Sequence, residues 1–382
     1  MPIPPSIGWR RGTIYDVAMV HVMNTRIQEW IRPEVRAQNA YHVPPADGLI
    51  KLDAMENPYS WPAEMVESWT EVLRNVSLNR YPDPGAARLK ERLRDTFGIP
   101  AASEVLLGNG SDELIQMILM AVGGSQRVVL APEPTFSMYR IISTNVGVSY
   151  QGVPLGADFS LDVTATRDAI LAQRPAVVFI AYPSNPTGNL FAAADICSLI
   201  EAASGLVVMD EAYSAFCDAS FMEYLERYEN LLILRTVSKL GLAGLRLGYL
   251  VGAPDWLREI DKLRLPYNIG ALTQTSAEFA LDHYTMLLEQ ADRIRADRQA
   301  LFDALRTMSG VTAYPSEANF ILFRVAAGRA VEIFEMLKQV GVLIKNLHGS
   351  HPALQDCLRV TVGTPEENRA FLSALRMVLS VK

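Results

Sequence analysis

This sequence is poor in cysteine and histidine, and it has no tract of basic residues and no long apolar run. Its three cysteines and five histidines lack the spacing of a metal site or a disulfide framework, so we expect no metal and a cytoplasmic, reducing location. The 35 Lys and Arg residues are scattered and the formal net charge is -7, which argues against nucleic acid as a partner. No apolar run approaches the roughly 20 residues that span a bilayer, so we expect no membrane association.

The chain does have length and a large apolar content. Its 382 residues exceed one ordinary core, and 49% hydrophobic residues against 20% charged ones are typical of a globular protein with a large interior. The apolar patch near the start is short and is broken by Asp16, unlike that of a signal peptide. We expect Met23 to be the natural start and residues 1–30 to form a disordered N-terminal extension.

Short apolar runs alternate with helical segments through the middle of the chain. These runs are apolar on both faces, as the strands of a buried parallel sheet must be, and the helical segments between them would supply the crossovers. The predicted strands are residues 127–131, 176–181, 206–209, 231–234 and 247–251. The predicted helices are residues 63–76, 86–97, 114–121, 192–203 and 221–228.

The pattern changes towards the C-terminus. A long helical region is predicted over residues 273–308, and beyond it strands and helices are mixed. We therefore predict an α/β fold that has a large domain, with a mixed, mostly parallel central sheet flanked by helices, and a small α+β domain. The predicted large domain is residues 63–285, and the small domain combines residues 31–62 and 286–382. The strands expected in the small domain are residues 319–324 and 358–362, and the helices are residues 330–340 and 366–378.

Polar side chains follow three consecutive predicted strands of the large domain at the point where each strand ends. Ligands bind beyond the carboxyl ends of parallel strands, so we expect these side chains to share one pocket. They are Asn185 after the first strand, Asp210 and Tyr213 after the second, and Ser238 and Lys239 after the third.

The combination of an amide, a carboxylate, a phenol and an amine suits pyridoxal phosphate. Its ring nitrogen must stay protonated, which a buried carboxylate such as Asp210 would enforce. Its ring oxygen accepts hydrogen bonds, which Asn185 and Tyr213 could donate. Its aldehyde needs an amine, and Lys239 is the candidate, because burial and the cationic ring would lower the pKa of this amine and make it a better nucleophile.

The phosphate of such a cofactor also has a candidate site. Residues 108–113, Gly-Asn-Gly-Ser-Asp-Glu, precede a predicted helix, and the exposed N–H groups and dipole of a helix N-terminus favour an anion. The same sequence could be an ordinary helix cap. Arg246, seven residues after Lys239, would add a guanidinium partner.

These motifs together resemble those of the fold-type I aminotransferases. The matching pieces are Tyr-Pro-Ser-Asn-Pro-Thr-Gly at 182–188, Asp-Glu-Ala-Tyr at 210–213, Ser-Lys at 238–239 and Gly-Leu-Arg-Leu-Gly at 244–248. The first piece lacks the leading Asn of the family motif. The match runs from about Tyr41 to Val378 and is most similar to the histidinol-phosphate aminotransferase family. That closer similarity rests on Glu-Asn-Pro at 56–58, Arg-Tyr-Pro at 80–82 and residues 108–113, 235–239 and 357–363.

The resemblance implies an aspartate-aminotransferase-like fold, pyridoxal phosphate as cofactor and a homodimer with shared active sites. It implies transamination between L-histidinol phosphate and 2-oxoglutarate, a step of histidine biosynthesis. It also assigns Lys239, Asp210 and Tyr213 to catalysis. The implied phosphate ligands are Ser111, Asp112, Thr236, Ser238 and Arg246, together with Tyr81 from the neighbouring subunit.

The remaining roles that the resemblance implies concern the cofactor ring and the substrate. Phe136 would stack on the pyridine ring, and Arg359 would bind the α-carboxylate of glutamate. Tyr41 and Tyr267 would line the substrate pocket. Lys345 lies where some members of the family have Arg, at a position associated with the distal anionic group of the substrate; Lys keeps the charge but loses the two-pronged geometry.

Several alternatives stay open at this point. Lys239 could face solvent at the start of a helix, Asp210 could cap a helix, and Asn185 could belong to an ordinary turn. Phe136 and Tyr267 could be core aromatics. In function, the donor could be an aromatic or another amino acid, or the chain could be a phosphorylated amino acid decarboxylase. A cofactor-sensing effector domain without turnover is a further alternative, although residues 1–40 are too short and too rich in proline for the DNA-binding domain that such proteins carry.

Overall fold

The computed structural model describes residues 26–40, 44–124 and 126–381, which fall into two compact units, Met1–Pro44 and Pro45–Lys382. In the first unit, residues 26–30 and Pro33–Arg36 are helical. Most of the N-terminal extension predicted over residues 1–30 lies outside the described residues. In the described part of the chain, no helix has both the length and the apolar character needed to cross a membrane.

The second unit contains three sheets. The strands, numbered in chain order, are β1 (Ile50–Lys51), β2 (Glu104–Gly108), β3 (Val128–Glu133), β4 (Ser149–Pro154), β5 (Val177–Ala181), β6 (Leu206–Asp210), β7 (Leu231–Thr236), β8 (Gly248–Gly252), β9 (Val311–Ala313), β10 (Phe320–Val325), β11 (Val342–Leu343), β12 (Lys345–Asn346) and β13 (Cys357–Thr361). The largest sheet has the order β2-β8-β7-β6-β5-β3-β4.

The large sheet is parallel from β4 through β7, and β8 and β2 close one side in antiparallel pairing. This confirms the predicted mixed, mostly parallel central sheet. Its middle strands are buried on both faces because alternate residues belong to separate cores: Val178 and Ile180 of β5 join one apolar cluster, and Val177 and Phe179 join the other. The sheet therefore lies between two layers, as the doubly apolar runs in the sequence predict.

The helices of the second unit surround these sheets. They are Ala63–Arg74, Ala87–Phe97, Gly110–Ala121, Met138–Val146, Val163–Gln173, Ala193–Ala202, Pro254–Asp261, Ala271–Asp282, Tyr284–Arg306, Ala330–Gln339 and Pro365–Ser380. The long helical region predicted over residues 273–308 is confirmed as two successive helices, because the chain leaves helical geometry at His283, where φ is -112° and ψ is 28°. The helix predicted over residues 221–228 is only a short 3-10 turn, Met222–Glu226.

A smaller antiparallel sheet of order β12-β13-β10-β9 and the parallel pair β1–β11 cover a third apolar core. Phe320, Ile321 and Phe323 of β10 are fully buried there. These elements belong to the segments assigned to the small domain, whose boundaries remain a prediction.

The last helix, Pro365–Ser380, begins where local chemistry favours a helix start. The Thr364 hydroxyl accepts a hydrogen bond from the Glu367 backbone N–H, and the Glu367 carboxylate accepts one from the Thr364 N–H. Proline follows at the first helical position, where no backbone donor is needed.

The helix Ala330–Gln339 permits a direct comparison of buried and exposed side chains. Ile333 is 0% exposed and Val331 is 50% exposed on the same helix. We expect Ile333→Ala to lower the free energy of unfolding by about 2–5 kcal/mol, because it removes apolar burial and leaves a cavity. The matched change Val331→Ala should alter it by no more than about 0.5 kcal/mol. Urea titrations of both variants measure this; equal effects would contradict the described core.

Candidate active site

A cavity of about 100 Å³ lies at the carboxyl ends of the central parallel strands. Ala181, Asp210 and Thr236, which line it, are the last residues of β5, β6 and β7. The parallel register brings these ends together, as the sequence predicts. The other lining residues are Met55, Ser111, Asp112, Phe136, Asn185, Ala212, Tyr213, Ser238, Lys239 and Arg246.

Asp210 is the buried acid of the cavity, only 4% exposed. Its Oδ2 accepts a hydrogen bond of 2.6 Å from the Tyr139 hydroxyl, and its Oδ1 accepts one of 3.1 Å from the Ala212 N–H. Burial raises the pKa of Asp210 to about 6, although both hydrogen bonds favour the charged form and oppose this shift. The carboxylate therefore lies among neutral donors, which leaves its charge without an adjacent cation.

Tyr139 is a site residue that the sequence analysis missed. It is fully buried, and its ring stacks on Phe179 with 4.6 Å between centroids. Phe136, which does line the cavity, meets the Tyr139 ring edge-on at 5.6 Å. In the sequence, Tyr139 lies one helical turn after Phe136, but it belongs to no motif that would mark it as a site residue.

A chain of hydrogen bonds connects the cavity to the smaller sheet. Asn185 Nδ2 donates to the Tyr213 hydroxyl at 3.0 Å, and Asn185 Oδ1 accepts from Arg359 Nη1 at 2.6 Å. Arg359 Nη2 donates to the Asp53 carbonyl oxygen at 3.2 Å. Arg359 is buried on β13, so it reaches the cavity through Asn185 and lies outside the set of lining residues.

Lys239 lines the cavity from a π-helical turn, Ser238–Leu242. Its Nζ donates to the Ala54 carbonyl oxygen at 3.0 Å, so the amine is directed inwards. Burial and then the Arg359 cation lower the pKa of Lys239 to about 8. A large part of this amine is therefore neutral slightly above neutral pH, as a nucleophile or proton carrier requires. Ala54 is a second contact that the sequence analysis missed.

An anion cradle lies at the N-terminus of the helix Gly110–Ala121. Thr236 Oγ1 and Ser238 Oγ are 2.9 Å apart, and Arg246 Nη1 donates to Ser238 Oγ at 3.4 Å. Gly110 has φ of +78°, and a Cβ there would be 2.6 Å from Arg246 Nη2. A side chain would therefore displace the guanidinium, which explains the glycine.

Ser111 and Asp112 form the first turn of that helix and line the cavity. The Asp112 carboxylate lies 3.9 Å from Arg246 Nη2. Burial raises the pKa of Asp112, and the cations of Arg246 and Lys239 oppose this shift. The backbone N–H groups of this turn are thus the donors that suit an anion, while Asp112 balances the arginine.

The remaining predicted site residues lie apart from the cavity. Tyr81 and Tyr267 stack on each other with 4.3 Å between ring centroids, and Tyr81 is 80% exposed. Neither tyrosine belongs to the lining residues. Lys345 on β12 is the ladder partner of Arg359 on β13, and neither belongs to the lining residues. Tyr41 lies outside the described residues.

The two histidines that are close in sequence serve their own loop. His348 Nδ1 lies 3.3 Å from Asp356 Oδ1, and His351 Nδ1 accepts a hydrogen bond from the Ala353 N–H. Over residues 26–40, 44–124 and 126–381, no group of three or more His, Cys, Asp and Glu side chains is arranged to hold a metal ion.

Comparison with known proteins shows similarity along nearly the whole chain. The family described as aminotransferase class I and II matches residues 47–375. Histidinol-phosphate aminotransferase 2 from Nitrosococcus oceani is 58% identical over 351 residues, which are 92% of this chain and 98% of that protein. Histidinol-phosphate aminotransferase from Chromobacterium violaceum is 49% identical over 93% of this chain and 99% of its own length.

Solved structures share the fold. A histidinol-phosphate aminotransferase from Sinorhizobium meliloti, in complex with pyridoxal-5'-phosphate, superimposes with a TM-score of 0.82 and covers 92% of this chain and 97% of its own. Its sequence identity is 23%, so this likeness supports the architecture alone.

The burial of Asp210 predicts an unusual pH dependence of stability in the ligand-free protein. Its pKa rises from 3.8 to about 6 on folding, so the folded chain keeps a proton that the unfolded chain releases within that interval. Stability from this group is therefore present below pH 3.8 and is lost as the pH rises to about 6, by about 3 kcal/mol.

Asp210→Asn has no such titration. Between pH 4 and pH 7 we expect the unchanged protein to lose about 2 kcal/mol of unfolding free energy relative to the variant, because the unfolded carboxyl is already partly ionised at pH 4. Denaturant titrations at both pH values measure the difference. Asp255→Asn is the control, at a carboxylate with 87% side-chain exposure that pairs with Arg258 on the surface; its difference from the unchanged protein should change little between the two pH values, because solvent screens the charge. A constant difference between Asp210→Asn and the unchanged protein would contradict the burial.

Proposed function

This chain belongs to the family of class I and II aminotransferases, and from that membership we propose that it transfers the amino group of L-histidinol phosphate to 2-oxoglutarate with pyridoxal phosphate as cofactor. The observation that carries the chemistry is that Lys239, Asp210 and the N-terminus of the helix Gly110–Ala121 line one cavity. The choice of donor is supported by the high identity to histidinol-phosphate aminotransferases along nearly the whole chain.

The cavity fits this cofactor at both ends. Asp210 is a buried carboxylate that has neutral donors around it, so it suits a cationic ring N–H. The cradle that contains Ser238 and Arg246, with Gly110 kept free of a side chain, suits a phosphate. When bound, pyridoxal phosphate supplies an aldehyde that takes up the amino group and a cationic ring that withdraws electrons from the bond being broken.

The residues around the ring would hold it and control its charge. Asp210 would keep the ring nitrogen protonated, with Tyr139 keeping the carboxylate in place. Asn185 and Tyr213 would donate hydrogen bonds to the ring oxygen, and burial raises the pKa of the Tyr213 phenol, which keeps it a donor. Phe136 would pack against the face of the ring.

Lys239 would attach the cofactor and, once released, carry the proton of the reaction. Because its pKa is lowered to about 8, the Lys239 amine could accept a proton from the α-carbon of the substrate and deliver it to the carbon that carries the aldehyde of the cofactor. The Ala54 carbonyl oxygen, at 3.0 Å from Nζ, would hold the amine when it is free.

The substrate would be oriented by cations at the inner end of the smaller sheet. Arg359, held by Asn185 and the Asp53 carbonyl, would bind the carboxylate of glutamate, and Lys345 beside it would face a second anionic group. Tyr41 and Tyr267 would line the substrate pocket. This orientation would keep the breaking bond perpendicular to the ring.

We further propose a cytoplasmic homodimer with shared active sites. Tyr81 and Tyr267 stack on each other in an exposed apolar surface, and Leu78 and Leu265, near them in sequence, are each more than 70% exposed. A second copy would cover this surface, and Tyr81 of each subunit would reach the cofactor phosphate of the other. The free thiols of Cys197, Cys217 and Cys357 suit a reducing compartment.

The identity of the amino donor is tested by following the absorbance of protein-bound pyridoxal phosphate as candidate donors are added. We expect pyridoxal phosphate to bind, histidinol phosphate to change its absorbance, and 2-oxoglutarate to restore it. Lys239→Ala should lose these changes, because it removes the amine. Lys262→Ala, at a lysine with 66% side-chain exposure, should retain them.

The outcomes separate the parts of this proposal. If an aromatic amino acid alone changes the absorbance, the cofactor site stands and the donor is wrong. If no amino compound changes it while the cofactor stays bound, the protein is a cofactor-binding effector. If the cofactor binds equally to Lys239→Ala with the same absorbance, the assignment of Lys239 fails.

Shared active sites are tested by mixing two defective variants. Tyr81→Ala and Lys239→Ala subunits should each form dimers of low activity, whereas a mixed dimer contains one intact site. Random association should restore about a quarter of the wild-type activity per subunit. Activity that stays at the sum of the two separate variants after subunit exchange would show that each site is built from one chain.

A further inference from the structure

Asp53 is a buried acid that the proposed reaction does not use. It is 8% exposed, and its Oδ1 has no hydrogen-bond partner among the residues that the structure describes. Lys51 Nζ is 3.8 Å from this oxygen, but its closer contact is with Glu56 Oε2. A buried carboxylate that is poorly compensated in this way is costly, so its charge needs a reason.

The backbone brings Asp53 next to the cations of the substrate site. β1 pairs in parallel with β11, with Lys51 opposite Leu343, and the Leu52 N–H donates to the Leu343 carbonyl oxygen at 2.7 Å, so Asp53 and Lys345 each follow the end of this pairing within two residues. Lys345 in turn is the ladder partner of Arg359, whose Nη2 donates to the Asp53 carbonyl oxygen.

The charges of Arg359 and Asp53 both act on Lys345. Burial and then the Arg359 cation lower the pKa of Lys345, and the Asp53 carboxylate opposes this shift. Any anion that binds to Lys345 and Arg359 therefore meets two attractive charges and one repulsive charge. The repulsion grows in proportion to the charge of the anion.

We propose that Asp53 is a specificity-determining residue. Its negative charge reduces the preference of the Lys345–Arg359 subsite for doubly charged anions over singly charged ones. The inference rests on the proposed function, in which Arg359 and Lys345 orient both substrates and therefore meet the phosphate of histidinol phosphate as well as the carboxylates of glutamate. Without Asp53, the two cations would favour the dianion over the monoanion much more strongly. The dianion would then be held too tightly to exchange with the second substrate.

The test measures sulfate and acetate binding to the holoenzyme, because these ions keep charges of two and one throughout the neutral range. Asp53→Asn removes one repulsive charge, so acetate affinity should rise by about 5-fold and sulfate affinity by about the square of that factor, 25-fold. Calorimetry at constant ionic strength gives both constants. In turnover, the KM for histidinol phosphate should fall more than the KM for glutamate.

Asp47→Asn is the matched control, since it makes the same chemical change at an exposed carboxylate on the same segment. Its two anion constants should be unchanged, because solvent screens the charge. Asp53→Ser, which also removes the charge, serves as a second variant if Asp53→Asn does not fold.

The possible results are distinct. The proposal is supported if the sulfate affinity rises by the square of the factor by which the acetate affinity rises. A displaced Lys345 or Arg359 would instead weaken the binding of both anions. Unchanged constants, a weakening of both, or one common factor for acetate and sulfate would overturn it. If the unchanged protein binds both anions and Asp53→Asn shows the squared relation, but no amino donor discharges the cofactor, the proposed function fails and the charge effect of Asp53 stands.

Discussion

The structure depends on a carboxylate, Asp210, buried at the end of a central parallel strand. Removing such a charge from water is costly, and the fold offsets that cost only in part, with the Tyr139 hydroxyl and the Ala212 N–H. The remaining cost raises the pKa of Asp210 to about 6, and a cationic partner would offset it. The cofactor chemistry proposed for the cavity follows from this one unbalanced charge.

The other charges are arranged around that acid at a distance. Arg246 contacts Ser238, and Arg359 reaches the cavity through Asn185. Both cations act on Lys239 and, with its burial, lower the pKa of this amine. Because Arg359 is carried by the smaller sheet and Asn185 by the larger one, the hydrogen bond between them joins the two halves of the site.

The parts of the fold that could be predicted are those with a strong local signal. The runs that form β5, β6 and β7 are apolar on both faces. This pattern is typical of strands in a sheet that is covered on both sides. The edge strand β4, Ser149–Pro154, has no such pattern because it is only partly buried, and it was not predicted. The helical region over residues 273–308 could be predicted, but its division at His283 could not, because the apolar and charged periodicity continues through it while the backbone turns to begin a new helix.

The sequence by itself determined which residues follow the buried strands, and therefore Asn185, Asp210, Tyr213, Ser238 and Lys239, because strand ends and turn residues are local features that a short window records. Only the tertiary structure decided which residues support them. Tyr139 is 71 positions from Asp210, and Ala54 is 185 positions from Lys239. Arg359, which donates to the Asp53 carbonyl oxygen, is 306 positions away from it. Such contacts arise from the packing of whole elements, which no local pattern encodes.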